Sequence, residues 1–168
     1  PEAYLASLSS LIGGLQISPG RLRQSVERSS LEVWSNSLSG VNAGPGTVSY
    51  YNKGQVLGLL LDAKIRRATG GRRSFDDAIR LAYRRYGAER GYTPDELRRT
   101  FEEVAGIPLT SWFQSAISST DELDYSDVLE WFGLRFTPGE GPAAWRLERR
   151  PDQTAAQRAH LDAWLGVR

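Results

Sequence analysis

Apolar residues recur at third and fourth positions through most of this chain, and the breaks between those runs carry capping and turn residues. Tyr4, Leu5, Leu8, Leu11, Ile12 and Leu15 make the first amphipathic stripe, which is expected to lose order near Gly13-Gly14 before the turn Ser18-Pro19-Gly20. Arg21 to Ser25 reads as irregular or weakly helical, and Ser29 or Ser30 caps a short helix holding Leu31, Val33 and Trp34 that ends near Asn36. Residues 37–47 turn to Ser, Gly, Asn and Pro, and Gly40, Gly44, Pro45 and Gly46 block any regular element. This approach lacks the spacing of a phosphate-binding loop.

From Ser49 the pattern changes character. Val56, Leu57, Leu59, Leu60, Leu61 and Ile65 are apolar around most of a helical circumference, as a helix in the middle of a domain requires. The stretch from about 49 to 68 is therefore predicted as a central helix, closed by Thr69-Gly70-Gly71. Ser74 caps the next helix, with a face of Phe75, Ile79, Ala82, Tyr83 and Tyr86. Thr93-Pro94-Asp95-Glu96 starts another, with Leu97, Phe101 and Val104 inward and Gly106-Ile107-Pro108 as its stop. Shorter helices follow around Trp112, Phe113, Ala116 and Ile117, and around Tyr125, Val128, Leu129, Trp131 and Phe132. The predicted fold class is all-α, a bundle-like domain of about seven short helices around the central one. Beyond Gly133, Leu134-Arg135-Phe136 and Trp145-Arg146-Leu147 alternate like a small two-stranded element within 134–149, and Thr154 caps a terminal helix that turns Leu161, Trp164 and Leu165 inward. The predicted division is a helical unit over 1–133 and a tail with a Gly/Pro linker over 134–168.

Composition narrows the chemistry. A chain of 168 residues supports one domain with a real core. Cys is absent, which removes disulfides, thiolate metal sites and a cysteine nucleophile. Met is absent too, and the opening Pro1-Glu2-Ala3-Tyr4-Leu5 reads as the start of a helix, so the chain is expected to be a piece of a longer protein. Neither a membrane span nor a signal sequence is predicted, and a soluble protein of a bacterial cytoplasm or periplasm is expected.

The single histidine, His160, excludes an H-E-x-x-H site and a Ser-His-Asp triad within this chain and reads as an ordinary surface residue. The net charge of +1 conceals eleven Lys or Arg against five acids over 64–99, and seven acids with no base over 100–130. Opposite neighbours of this kind suggest mutual pairing, and no nucleic-acid partner is expected. Asp121, Glu122, Asp124 and Asp127 lack the spacing of a calcium loop and read as solvated caps.

The candidate chemistry sits where the central helix begins. In Ser49-Tyr50-Tyr51-Asn52-Lys53-Gly54 two adjacent phenols stand at the positive end of the helix dipole with a lysine two residues on, a plausible place for chemistry on an oxyanion. Two readings stay open: both tyrosines are core aromatics with locally bonded hydroxyls, or one phenol faces a cleft and donates to a developing oxyanion.

The series Ser49-Tyr50-Tyr51-Asn52-Lys53-Gly54, Leu61-Asp62, Ile65-Arg66, Thr69-Gly70-Gly71 and Ser74-Phe75-Asp76-Asp77, with Pro19-Gly20-Arg21, Gln24-Ser25 and Trp34 before it, resembles the glycyl-aminopeptidase family over about Pro1 to Leu134. That family belongs to the thermolysin-like gluzincin zinc metallopeptidases, and the resemblance is to the C-terminal helical part of the catalytic domain. It implies that Tyr51, the tyrosine before x-Lys-Gly, stabilises the tetrahedral intermediate, with Tyr50 the second choice. It also implies a zinc ion, a glutamate base and an amine site in the full-length parent, all upstream of Pro1, so that this chain alone binds no zinc and is inactive. The family's usual PDZ domain has no counterpart after Leu134. The partners implied are the remainder of the parent catalytic domain and a peptide substrate, with small glycine-type residues removed. The competing expectation is a non-catalytic helical binding or scaffold module.

Overall fold

In the computed structural model, residues 2–38, 46–87 and 89–166 are described, apart from the side chains of 35–38. The elements run α1 (Glu2–Ile17), a 3-10 turn (Pro19–Leu22), α2 (Val26–Leu38), α3 (Tyr50–Thr69), α4 (Phe75–Tyr86), α5 (Pro94–Ala105) and α6 (Thr110–Phe113), which continues as a π-turn (Gln114–Ser118). After α7 (Ser126–Phe132) come β1 (Leu134–Phe136), a 3-10 turn (Gly141–Trp145), β2 (Leu147–Arg149) and α8 (Ala155–Trp164). The protein is an all-α domain with one small antiparallel sheet, in which Leu134 pairs with Arg149 and Phe136 with Leu147. The glycine-rich approach expected over 37–47 falls largely outside the described residues.

The 20-residue α3 is the axis of the fold. Its Val56, Leu57, Leu59, Leu60 and Ala63 join α1, α7, both strands and α8 in one apolar cluster. Leu61 and Ile65 face a second cluster made with Ala78 of α4, Phe101 and Ala105 of α5 and Leu109. A helix apolar on both sides is stable only when flanked on both, which is why the sequence pattern located it. Leu134, Leu147 and Leu161 are buried in the first cluster, so the segment after Gly133 shares the core of α1 and α3.

Several local expectations are corrected. Helix α1 does not lose order at Gly13-Gly14 but runs to Ile17. Gly13 is buried there because a Cβ at this position would lie 3.0 Å from the Pro142 carbonyl oxygen, so the glycine admits the 141–145 turn rather than ending the helix. Gly20 is under the same constraint, since a Cβ would sit 1.8 Å from the Thr47 carbonyl oxygen. Helix α2 starts one turn earlier than expected: Ser25 Oγ accepts from the Arg28 amide at 3.1 Å, which leaves Ser29 inside the helix to donate to the Val48 carbonyl. On α4 the expected face holds at Phe75, Ala82 and Tyr86 and fails at Ile79 and Tyr83. Ala78 and Ala82 are buried, whereas Ile79 and Tyr83 face solvent, because the small alanines allow close approach while Phe75 packs on Phe101 at 5.2 Å. Trp145 closes a 3-10 turn, and the second strand begins at Leu147.

The charge segments pair as their signs suggest. Lys64 and Arg67 bond Asp127 at 2.6 and 3.0 Å, Arg85 bonds Glu103 at 2.8 Å and Arg98 bonds Glu102 at 2.8 Å. His160 is not a plain surface residue. Its half-buried ring stacks on Trp131 at 3.7 Å, and its Nδ1 lies 3.2 Å from the Trp131 carbonyl oxygen.

Asp62 ties three elements together. Its carboxylate accepts from Arg66 Nε at 2.7 Å, from the Phe75 amide at the start of α4 at 2.8 Å, and from Trp164 Nε1 of α8 at 3.0 Å. Removing one member of a buried charged network leaves the others unpaired. Asp62→Ala is therefore expected to reduce unfolding free energy by about 3 kcal/mol, measured by urea denaturation.

Candidate functional site

Ser49 starts the site. Its backbone is extended and its side chain accepts from the Asn52 amide at 3.2 Å, so α3 begins at Tyr50 with its first amides directed outward. Tyr50 and Tyr51 then project side by side from the first turn. Their ring centroids are 4.2 Å apart with planes inclined by 33°, Tyr51 is 68% exposed and Tyr50 is half-buried. A hydrogen bond with Tyr51 holds the Tyr50 phenol above its ordinary pKa, and partial burial acts in the same direction.

Tyr50 is also part of the wall of an apolar groove of about 790 Å³. One side is α2, with Val26, Leu31 and Trp34, and the other is built from Tyr92, Pro94, Leu97, Phe113 and Ile117. Leu31 and Trp34 are 79% and 77% exposed, so α2 carries an apolar stripe that nothing else among the described residues covers. Glu27 is the single charged residue of the lining. The sequence reading did not find this groove. A signal exists in hindsight, because Val26, Ser29 and Val33 already supply an inward face for α2, and Leu31 with Trp34 at the next helical spacing forms a second one.

Lys53 does not join the tyrosines. It follows Tyr51 by two residues, about 200° around a helix, and points inward. It is 1% exposed, and its Nζ is the one buried side-chain nitrogen or oxygen without a hydrogen-bond partner among the described residues. Leu15, Gln16, Arg21, Asp121, Glu122 and Leu123 share a cavity of about 10 Å³ with it. Burial pushes the Lys53 pKa down, against the upward pull of the Asp121 and Glu122 carboxylates. The lysine expected beside an oxyanion is thus a buried charge on the opposite side of the helix.

Zinc does not fit this chain's own donors. No group of three or more His, Cys, Asp or Glu able to hold a metal occurs among the described residues, and the one histidine is engaged with Trp131. No helix among the described residues is long and apolar enough to cross a membrane.

A protein-family model described as M61 glycyl aminopeptidase matches residues 1–57. The matched third of the chain contains α1, α2 and the first turns of α3, and so Tyr50, Tyr51 and Lys53. The similarity supports a peptidase-related, hydrolytic function and is compatible with a metal-dependent parent. Searches of curated proteins and of solved structures return no match.

The folded chain binds the Lys53 proton less tightly than the unfolded chain does. Stability linked to this group therefore rises with pH between its lowered folded value and about 10.4, and is least below that interval. Urea midpoints of the native chain minus those of Lys53→Met are expected to increase with pH over this interval.

Proposed function

We propose that the chain is the helical part of a metal-dependent aminopeptidase, in which Tyr51 donates a hydrogen bond to the oxyanion of the tetrahedral intermediate. Tyr50 supports the Tyr51 ring by packing against it at a tilt and is the alternative donor. The observation that carries this reading is the tyrosine pair at the N-terminus of a long helix, with Tyr51 exposed and Tyr50 on the wall of an open apolar groove, inside the family-matched segment.

The chemistry follows from the groups present. A phenol O–H is a hydrogen-bond donor, and the first turn of a helix adds a positive potential to whatever the phenol faces. An oxyanion gains more from both than the neutral carbonyl from which it forms, which is the difference that accelerates acyl transfer. The zinc ligands, the glutamate general base and the site for the substrate amine belong to a part of the parent outside this chain. That remainder is the principal partner, a peptide is the substrate, and small glycine-type N-terminal residues are the preferred ones.

A second reading rests on a separate observation. The uncovered Leu31 and Trp34 suit a non-catalytic helical module whose groove takes a partner protein. The two readings diverge at Tyr51, which touches no buried core. In the full-length parent, Tyr51→Phe is expected to lower kcat by about two orders of magnitude, the usual loss of one oxyanion donor, with thermal stability unaltered. A parent whose kcat survives this substitution supports the module instead.

A further inference from the structure

Removal of one N-terminal residue divides a peptide unequally. The released residue stands on one side of the scissile carbonyl and the whole remaining chain on the other. The matched family's description names glycine as that residue, which asks for no side-chain space on the first side. An extended apolar surface beside the carbonyl therefore has only the second part of the peptide to hold.

The groove beside α2 is such a surface, and it begins at the tyrosine pair. Tyr50 is on its wall, and the Tyr51 ring lies 4.2 Å from the Tyr50 ring. An extended peptide advances about 3.4 Å per residue, so a chain whose carbonyl is held by Tyr51 enters the groove within its next residue or two. The groove is concave, and a volume of about 790 Å³ suits an enclosed side chain better than a flat protein contact. Exposed Leu31 and Trp34 line one side and exposed Tyr92 the other, so large apolar area is still in water until an occupant arrives. Ile117 reaches the lining from the π-turn Gln114–Ser118, an irregularity of a kind that recurs at functional sites. Glu27 shares the helical stripe of Leu31 and Trp34, and as the single charge of the lining it opposes an acidic occupant.

We propose that this groove is the subsite for the residue that follows the scissile bond, selecting a bulky apolar or aromatic side chain through Leu31, Trp34 and Tyr92 and rejecting an acidic one through Glu27. The inference rests on the reading of Tyr51 as an oxyanion donor and adds to it the class of peptide that is cleaved.

The test compares kcat/KM of the full-length parent for the tripeptides Gly-Ala-Ala, Gly-Phe-Ala and Gly-Asp-Ala. Gly-Phe-Ala is expected to exceed Gly-Ala-Ala by at least about tenfold, with Gly-Asp-Ala the poorest of the three. In the double variant Leu31→Ala with Trp34→Ala, the preference for Phe over Ala is expected to shrink to about twofold or less. Both positions are exposed, so the fold is expected to survive, and a thermal melt checks this. Glu27→Gln is expected to raise Gly-Asp-Ala relative to Gly-Ala-Ala by about threefold at low salt.

A preference for Phe that persists in the folded double variant overturns the proposal. The same persistence with a lowered melting midpoint overturns it too, and assigns the groove to packing against the rest of the parent or a partner protein. Should the double variant fail to fold, Glu27→Gln decides alone, and an unaltered ratio of the Asp to the Ala peptide overturns the subsite. Tyr51→Phe, measured on the same peptides, separates the two readings. A lowered kcat with groove variants that change no preference defeats the subsite alone, an undiminished kcat defeats the oxyanion role, and a parent that cleaves none of the three defeats both.

Discussion

The burial of α3 on both sides is the constraint from which the rest follows. A helix with apolar residues around most of its circumference needs neighbours on each flank, and the chain supplies α1, α7, the strands and α8 on one side and α4 and α5 on the other. At the start of the helix Tyr51 and Asn52 escape this enclosure. Residues there are held by the rigidity of a 20-residue helix yet remain open to solvent, the condition under which a side chain can be both well placed and reachable.

That geometry separates three neighbouring residues by role. Tyr51 is outside, Tyr50 is half inside against the groove, and Lys53 is wholly inside among Gln16, Arg21, Asp121 and Glu122. The spacing of 3.6 residues per turn is sufficient to produce this division within four positions. The inward lysine is locally unfavourable, and places where a fold tolerates a local cost are where its function deserves to be sought.

The sequence was most informative where its periodicity was long. The central helix, the capping boxes of α4, α5 and α8 and the pairing of opposite charge segments could all be read from residue types at fixed spacing. Reading failed where packing decides between equivalent patterns. Gly13 resembles a helix breaker until Pro142 is seen against it, and Ile79 with Tyr83 resembles an inward stripe until Ala78 and Ala82 are seen to allow the closer approach. The tyrosine pair was legible as a candidate, but its exposure was not, because the pattern that buries a first-turn aromatic is the same as the one that displays it. The groove was invisible for a related reason: it is assembled from α2, α3 and the 92–117 region, which no local pattern links.

Tyr51 is proposed to act on an oxyanion and not on the ground-state substrate. The most direct measurement is the affinity of the parent enzyme for a tetrahedral phosphinic peptide analogue, compared between native protein and the Tyr51→Phe variant. If the claim holds, analogue affinity falls by about the same factor as kcat/KM while KM for the peptide is nearly unchanged. Equal affinity of both proteins for the analogue contradicts it.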